Sequence, residues 1–199
     1  MTENKLSKRP DVQAIKFETL DWSDEKKTAS LDTVFKYATN HAEIVIQWYL
    51  NAKKTKKNCA LYLRVTTIVL TALAALMPVV SEMNDFFSPL WSTFFLGGAA
   101  LCVAFDRFFG CSNAWMRYMA TEHQVRQLLH AFQIEREELK VDWEPQGPNK
   151  DQVILGLKKA KTFIVNVDEI VRIETEQWRA EFQSIIKELD SAANNKNNH

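Results

Sequence analysis

Apolar residues recur at Leu31, Val34, Phe35, Ala38, Ala42, Val45, Tyr49 and Ala52. Steps of three and four place them on one face of a helix, against a core. From Cys59 to Phe105 the pattern changes to two apolar runs of about 20 residues, over 60–80 and 86–105, parted by a short polar break. After Arg64 the first run carries no charge before Glu82, and the second carries none between Asp85 and Asp106. At 1.5 Å per residue each run spans about 30 Å, the thickness of a bilayer's hydrocarbon core. Two such runs in tandem predict a transmembrane hairpin.

Helical spacing resumes through Trp115, Met119, Val125, Leu128, Leu129 and Phe132 to Leu139. The segment from Asp142 to Asn149 holds two prolines and a glycine, the strongest turn signal outside the hairpin. Beyond it, Val153, Leu157, Ala160, Ile164, Val167, Val171, Trp178, Phe182, Ile185 and Leu189 predict one coiled-coil-like helix about 60 Å long. Glu174 interrupts its seam, and the steps of four around Trp178 form a stutter.

The expected fold is therefore an all-α membrane protein, a two-helix transmembrane hairpin continuous with a cytoplasmic helical bundle that ends in a long helix. Its expected parts are a polar N-terminal segment (1–29), an amphipathic helix (30–58), the hairpin (59–105), a helix (106–142), a turn (143–149), the long helix (150–190) and a disordered tail (191–199). Ser30 is the expected N-cap of the first helix, which should run on into the bilayer because nothing breaks it. Val12, Ile15, Phe17, Leu20 and Trp22 suggest a short amphipathic helix packed on the bundle. The first ten residues hold no apolar leader core, so insertion is expected to be directed by the hairpin itself.

Charge adds an orientation. Lys53, Lys54, Lys56 and Lys57 precede the first span and Arg107 and Arg117 follow the second, whereas the connecting Ser81–Asp85 loop has only Glu82 and Asp85. The positive-inside rule puts both termini in the cytoplasm. Tyr62, Phe86, Phe87 and Trp91 fall where interfacial aromatic belts form. Lys plus Arg equals Asp plus Glu at 25 each, so there is no electrostatic case for nucleic acid as a partner.

Arg64, Thr67 and Thr71 share one face of the first span and are candidate pore-lining residues. The same residues fit a plainer role, with Arg64 reaching toward headgroups and the threonines bonding their own helix. In the second span Thr93 with Gly97, and Ala100 with Ala104, are small-xxx-small pairs suited to packing spans or subunits together. Gly97 and Gly98 are also gating-hinge candidates. Cys59, Cys102 and Cys111 have no Cys-x-x-Cys spacing and read as reduced apolar fillers. His41, His123, His130 and His199 lack metal-type partners, and no phosphate loop or nucleophile elbow occurs. Neither an enzyme nor a cofactor or metal is expected.

The chain resembles the SLATT family of SMODS- and SLOG-associating two-transmembrane effectors of bacterial conflict systems. The resemblance covers about residues 30–190 and rests on the helix–hairpin–helix order, on Trp48-Tyr49, and on Ser112-Asn113-Ala114-Trp115-Met116-Arg117-Tyr118. Ser112, Trp115, Arg117 and Tyr118 are thus family-motif candidates, suited either to packing or to ligand binding through stacking and a guanidinium. The resemblance implies an oligomeric pore-forming effector of the bacterial inner membrane, a homo-oligomer triggered by a nucleotide second messenger or a sensor protein. The competing expectation is a membrane-anchored adaptor that recruits a partner through its cytoplasmic helices.

Overall fold

A computed structural model describes residues 17, 19–83, 86, 88–143 and 147–196. Among them are four helices and no strand: α1 (Lys27–Met83), α2 (Leu90–Phe109), α3 (Cys111–Val141) and α4 (Lys150–Lys196). The fold is all-α, as the spacing predicts. α1 runs 57 residues without a break, about 85 Å at helical rise. No glycine lies within it, and Pro78 near its end is its one proline.

The chain forms two compact units, one of Met1–Leu50 with Ala120–Thr175 and one of Asn51–Met119 with Glu176–His199. The first unit is a three-helix bundle. α1 and α4 run parallel in it, because Nε2 of His41 meets Oδ1 of Asp168 at 2.8 Å and Tyr49 meets Glu174 at 3.3 Å with nearly constant sequence offset. α3 runs against both: Phe132 packs edge-on to Phe35 at 5.9 Å and stacks on Phe163 at 4.2 Å, while Lys140 pairs with Asp32 further back along α1. All eight apolar positions of the first pattern, Leu31 through Ala52, are buried.

The differences from expectation are local. Ser30 does not cap α1. The Ser23 carbonyl accepts the backbone N–H groups of Lys26 and Lys27, and Ser30 lies inside the helix with its hydroxyl donating to the Asp21 carbonyl. The Asp21 carboxylate accepts the Ser23 backbone N–H and pairs with Lys26, which together hold its pKa below the usual carboxylate value. Residues 19–22 are not helical, although Phe17 still meets the Tyr37 ring edge-on at 5.0 Å. Val12 and Ile15 lie outside the described residues. Met119, expected in the core, is exposed, and Phe163 takes a core place that the spacing gave to Ile164. Glu174, read as an interruption, is buried and accepts the Tyr49 hydroxyl. The tail expected to be disordered from residue 191 continues as helix to Lys196, and 197–199 lie outside the described residues.

The turn before α4 closes with a reciprocal cap. Oδ1 of Asn149 accepts the Gln152 N–H at 2.9 Å, and Oε1 of Gln152 accepts the Asn149 N–H at 2.8 Å. Gly147 has φ +96°, and a Cβ there would lie 2.7 Å from Oγ1 of Thr28, so both backbone and space require glycine. Gly156 lets α4 approach α1, since a Cβ on it would already meet both Leu31 methyls at 3.1 Å and the Phe35 ring at 3.2 Å. The Gly156→Leu variant is expected to lose about 1–3 kcal/mol of stability by overpacking. Denaturant unfolding of the detergent-solubilised chain, followed by helical circular dichroism, measures it.

Candidate functional site

The second unit contains the hairpin, its base and the last turns of α4. The apolar windows of its two long helices are only 6% and 11% buried. Leu61, Ile68, Val69, Leu73 and Leu76 of α1 and Phe94, Leu96, Leu101 and Val103 of α2 are all exposed. In water so large an apolar surface would be a liability; in a bilayer it is the surface lipid covers.

The two spans meet along narrow edges. On α1 the covered residues include Leu63, Thr66, Thr67, Leu70, Ala74 and Met77, and on α2 they include Ser92, Phe95, Gly98, Ala99 and Cys102. Gly98 permits the approach, since a Cβ on it would lie 3.2 Å from a Leu70 methyl. Among the described residues a polar bond crosses the contact. Pro78 has no N–H to offer the carbonyl four residues back, which is that of Ala74. The Ser92 hydroxyl of α2 donates to that carbonyl at 2.9 Å. Hydrocarbon offers no other donor, so the serine repairs what the proline leaves open.

The candidate residues separate on this frame. Thr67 is half-buried at the hairpin contact and its hydroxyl donates to the Leu63 carbonyl at 2.8 Å. Thr71 is exposed and donates to the Thr67 carbonyl at 2.8 Å. Arg64 is exposed and has no ion-pair partner among the described residues. Lys57, seven residues earlier, and Thr71, seven later, fall on its line along the helix. On α2, Thr93, Gly97, Ala100 and Ala104 are exposed and do not form the hairpin contact, which lies about one residue round the helix. A Cβ on Gly97 would meet nothing within 4 Å.

At the base of the hairpin the chain turns through one residue. Gly110, at φ +57°, ends α2 in the left-handed conformation, and its carbonyl accepts the Ala114 N–H that opens α3. Asp106 reaches across the turn: its carboxylate accepts the Ser112 backbone N–H at 3.2 Å and the Ser112 hydroxyl at 2.7 Å. That bond is what the motif serine does here; it ties α3 to the turn before it. Cys111, the first residue of α3, forms a disulfide with Cys59 of α1, with 6.1 Å between Cα atoms. The expectation of three separate reduced fillers is thus corrected for two of them. The spacing of 52 residues gave no local signal for the pair, because the hairpin itself brings them together. Cys102 is free and half-buried on the contact edge of α2.

The rest of the motif serves packing. Arg117 is nearly covered, gives Glu181 of α4 a charged hydrogen bond at 2.5 Å, and lies 5.9 Å from the Tyr118 ring centroid. Trp115 is half-buried. Arg107 pairs with Glu188, a second tie to α4. Beside the first of these ties Trp178 and Phe182 stack on each other at 5.7 Å and stand 51% and 41% exposed. Among the described residues no group of three His, Cys, Asp or Glu side chains could hold a metal ion. Asp85 and Phe87 of the connecting loop lie outside the described residues.

Two apolar, lipid-ready helices joined by a short loop define a two-span helical membrane protein. The family model described as "SMODS and SLOG-associating 2TM effector domain 2" matches residues 11–198, and the chain belongs to that family. It is thereby a membrane effector domain of defence-associated systems. No curated protein and no solved structure matches the chain.

Proposed function

We propose that the chain is an oligomeric pore-forming effector that dissipates ion gradients across a bacterial inner membrane, with both termini cytoplasmic. One hairpin supplies no continuous wall around a water path, so several copies are needed. The observation that carries this reading is Arg64, an exposed cation in a run of lipid-facing residues with no carboxylate beside it among those described. A buried-in-lipid guanidinium is costly, and a water-filled lumen removes the cost. In the assembly the Lys57–Arg64–Thr71 line faces the lumen, with Thr67 at its edge, and the small residues Thr93, Gly97, Ala100 and Ala104 face a neighbouring copy. A nucleotide second messenger or a sensor protein acts on the helical bundle and, by binding the open form more tightly, shifts the population toward it. No catalysis, cofactor or nucleic acid enters this scheme.

The test is induced expression, alone and together with the neighbouring genes, in cells stained with a membrane-potential dye. Depolarisation is the expected result, and the Thr67→Leu/Thr71→Leu double variant should insert normally yet leave the membrane polarised. Full polarisation with the unaltered chain under both conditions would sink the pore reading. The second reading, a membrane-anchored adaptor, is favoured by one observation, the exposed Trp178–Phe182 pair on α4. An adaptor would keep its activity in the double variant.

A further inference from the structure

We propose that Cys59 and Cys111 are a reversible redox pair, a staple at the base of the hairpin that a thiol reductant opens and a disulfide oxidant closes. Their Cα separation of 6.1 Å lies within the range a disulfide spans without backbone movement. The bond joins α1 directly to the first residue of α3 and closes a loop that contains both spans. A disulfide facing a reducing compartment is more often a transient or sensing bond than a structural one.

The two cysteines differ in exposure. Cys111 is 3% exposed, whereas Cys59 is half-buried, with Lys56 and Lys57 in the turn before it. Attack therefore falls on Cys59. A reductant thiolate bonds to Sγ of Cys59, the Cys59–Cys111 bond breaks, and Cys111 leaves as a thiolate that takes a proton. A second reductant thiolate then attacks the reductant sulfur of the mixed disulfide and releases Cys59. The pair gains two electrons and two protons, and the reductant, a dithiol or two monothiols, ends as a disulfide. An oxidant of the disulfide class runs the same exchange backward, and a diazene such as diamide closes the pair by taking the two electrons and two protons and ending as a hydrazine.

Opening the staple leaves the turn intact, because the Asp106–Ser112 bonds and the left-handed Gly110 hold α2 to α3 independently. What is freed is α1. Closed, the bond keeps the two Cα atoms within about 7 Å; open, α1 can separate from α3 at the base. The regulatory consequence rests on the pore reading: the oxidised chain is locked, and the reduced chain can rearrange its spans.

The experiment uses the full chain in membranes, with Cys102→Ala so that one pair remains. Membranes are treated with diamide or with dithiothreitol, quenched in acid, unfolded and labelled with a maleimide-polyethylene glycol. The expected result is no label after diamide, two labels after dithiothreitol, and return to none on reoxidation, all on a monomer band. Two labels after both treatments, or diamide-dependent dimers, would overturn the pair. In vesicles holding a potassium gradient and a potential dye, the oxidised chain should depolarise at least tenfold more slowly than the reduced one. Cys59→Ser should abolish that difference. Equal rates with labelling that toggles would overturn the lock. Absence of depolarisation in either state counts against the pore reading alone, since the labelling measures the pair without it.

Discussion

Replacing Phe35 by alanine is expected to lower the free energy of unfolding by about 3–5 kcal/mol, the cost of emptying a fully packed aromatic site. Phe35 has no exposed surface, its ring meets Phe132, and it lies beneath Gly156. Phe35 and these two neighbours come from the three different helices of the first unit, so collapse around the vacancy would have to move helix against helix. Denaturant titration of the solubilised chain, monitored by circular dichroism, gives the number directly. A loss under about 1 kcal/mol would mean that the site relaxes or that the bundle is loosely packed.

Tyr49 is the second large effect, and two variants divide it. Tyr49→Ala removes a ring that is 2% exposed and is expected to cost about 3–5 kcal/mol. Tyr49→Phe keeps the ring and removes only the hydroxyl that Glu174 accepts at 3.3 Å. Its expected cost is about 1–3 kcal/mol, because a buried carboxylate loses a donor without regaining water. The same denaturant titration measures both. If the phenylalanine variant is as stable as the parent, Glu174 is satisfied by its other contacts and the hydroxyl is incidental.

These two sites mark what could and could not be seen in advance. The core face of α1 was fully legible, because apolar and polar residues alternate along it with helical period and each step states which way a side chain points. Glu174 reads as an interruption because its partner is a tyrosine 125 residues away, and only folding brings the two together. Ile164 stands beside Phe163 and both are apolar; the buried face runs Val153, Gly156, Ala160, Phe163 and Val167, and because Gly156 carries no apolar side chain the spacing reads one residue off at Leu157 and Ile164.

The spans were legible as spans and opaque as surfaces. Apart from Arg64 and a few hydroxyl side chains, residues 60–80 and 86–105 are apolar on every side, so they offer little contrast from which a helix–helix contact face can be read. The small residues Thr93, Gly97, Ala100 and Ala104 looked like the natural packing edge, yet the hairpin closes on Ser92, Phe95, Gly98, Ala99 and Cys102. A better signal was present in Pro78. A proline inside a span leaves one carbonyl without its donor, and the nearest hydroxyl able to serve it lies at the start of the other span.

That bond bears on how the protein is made. As α1 leaves the ribosome, its Ala74 carbonyl has no partner, and Ser92 is 18 residues from being useful. A first span released alone into lipid would carry that bare carbonyl across hydrocarbon. Pairing of the two spans therefore removes a cost that the first would carry if it stood in lipid alone.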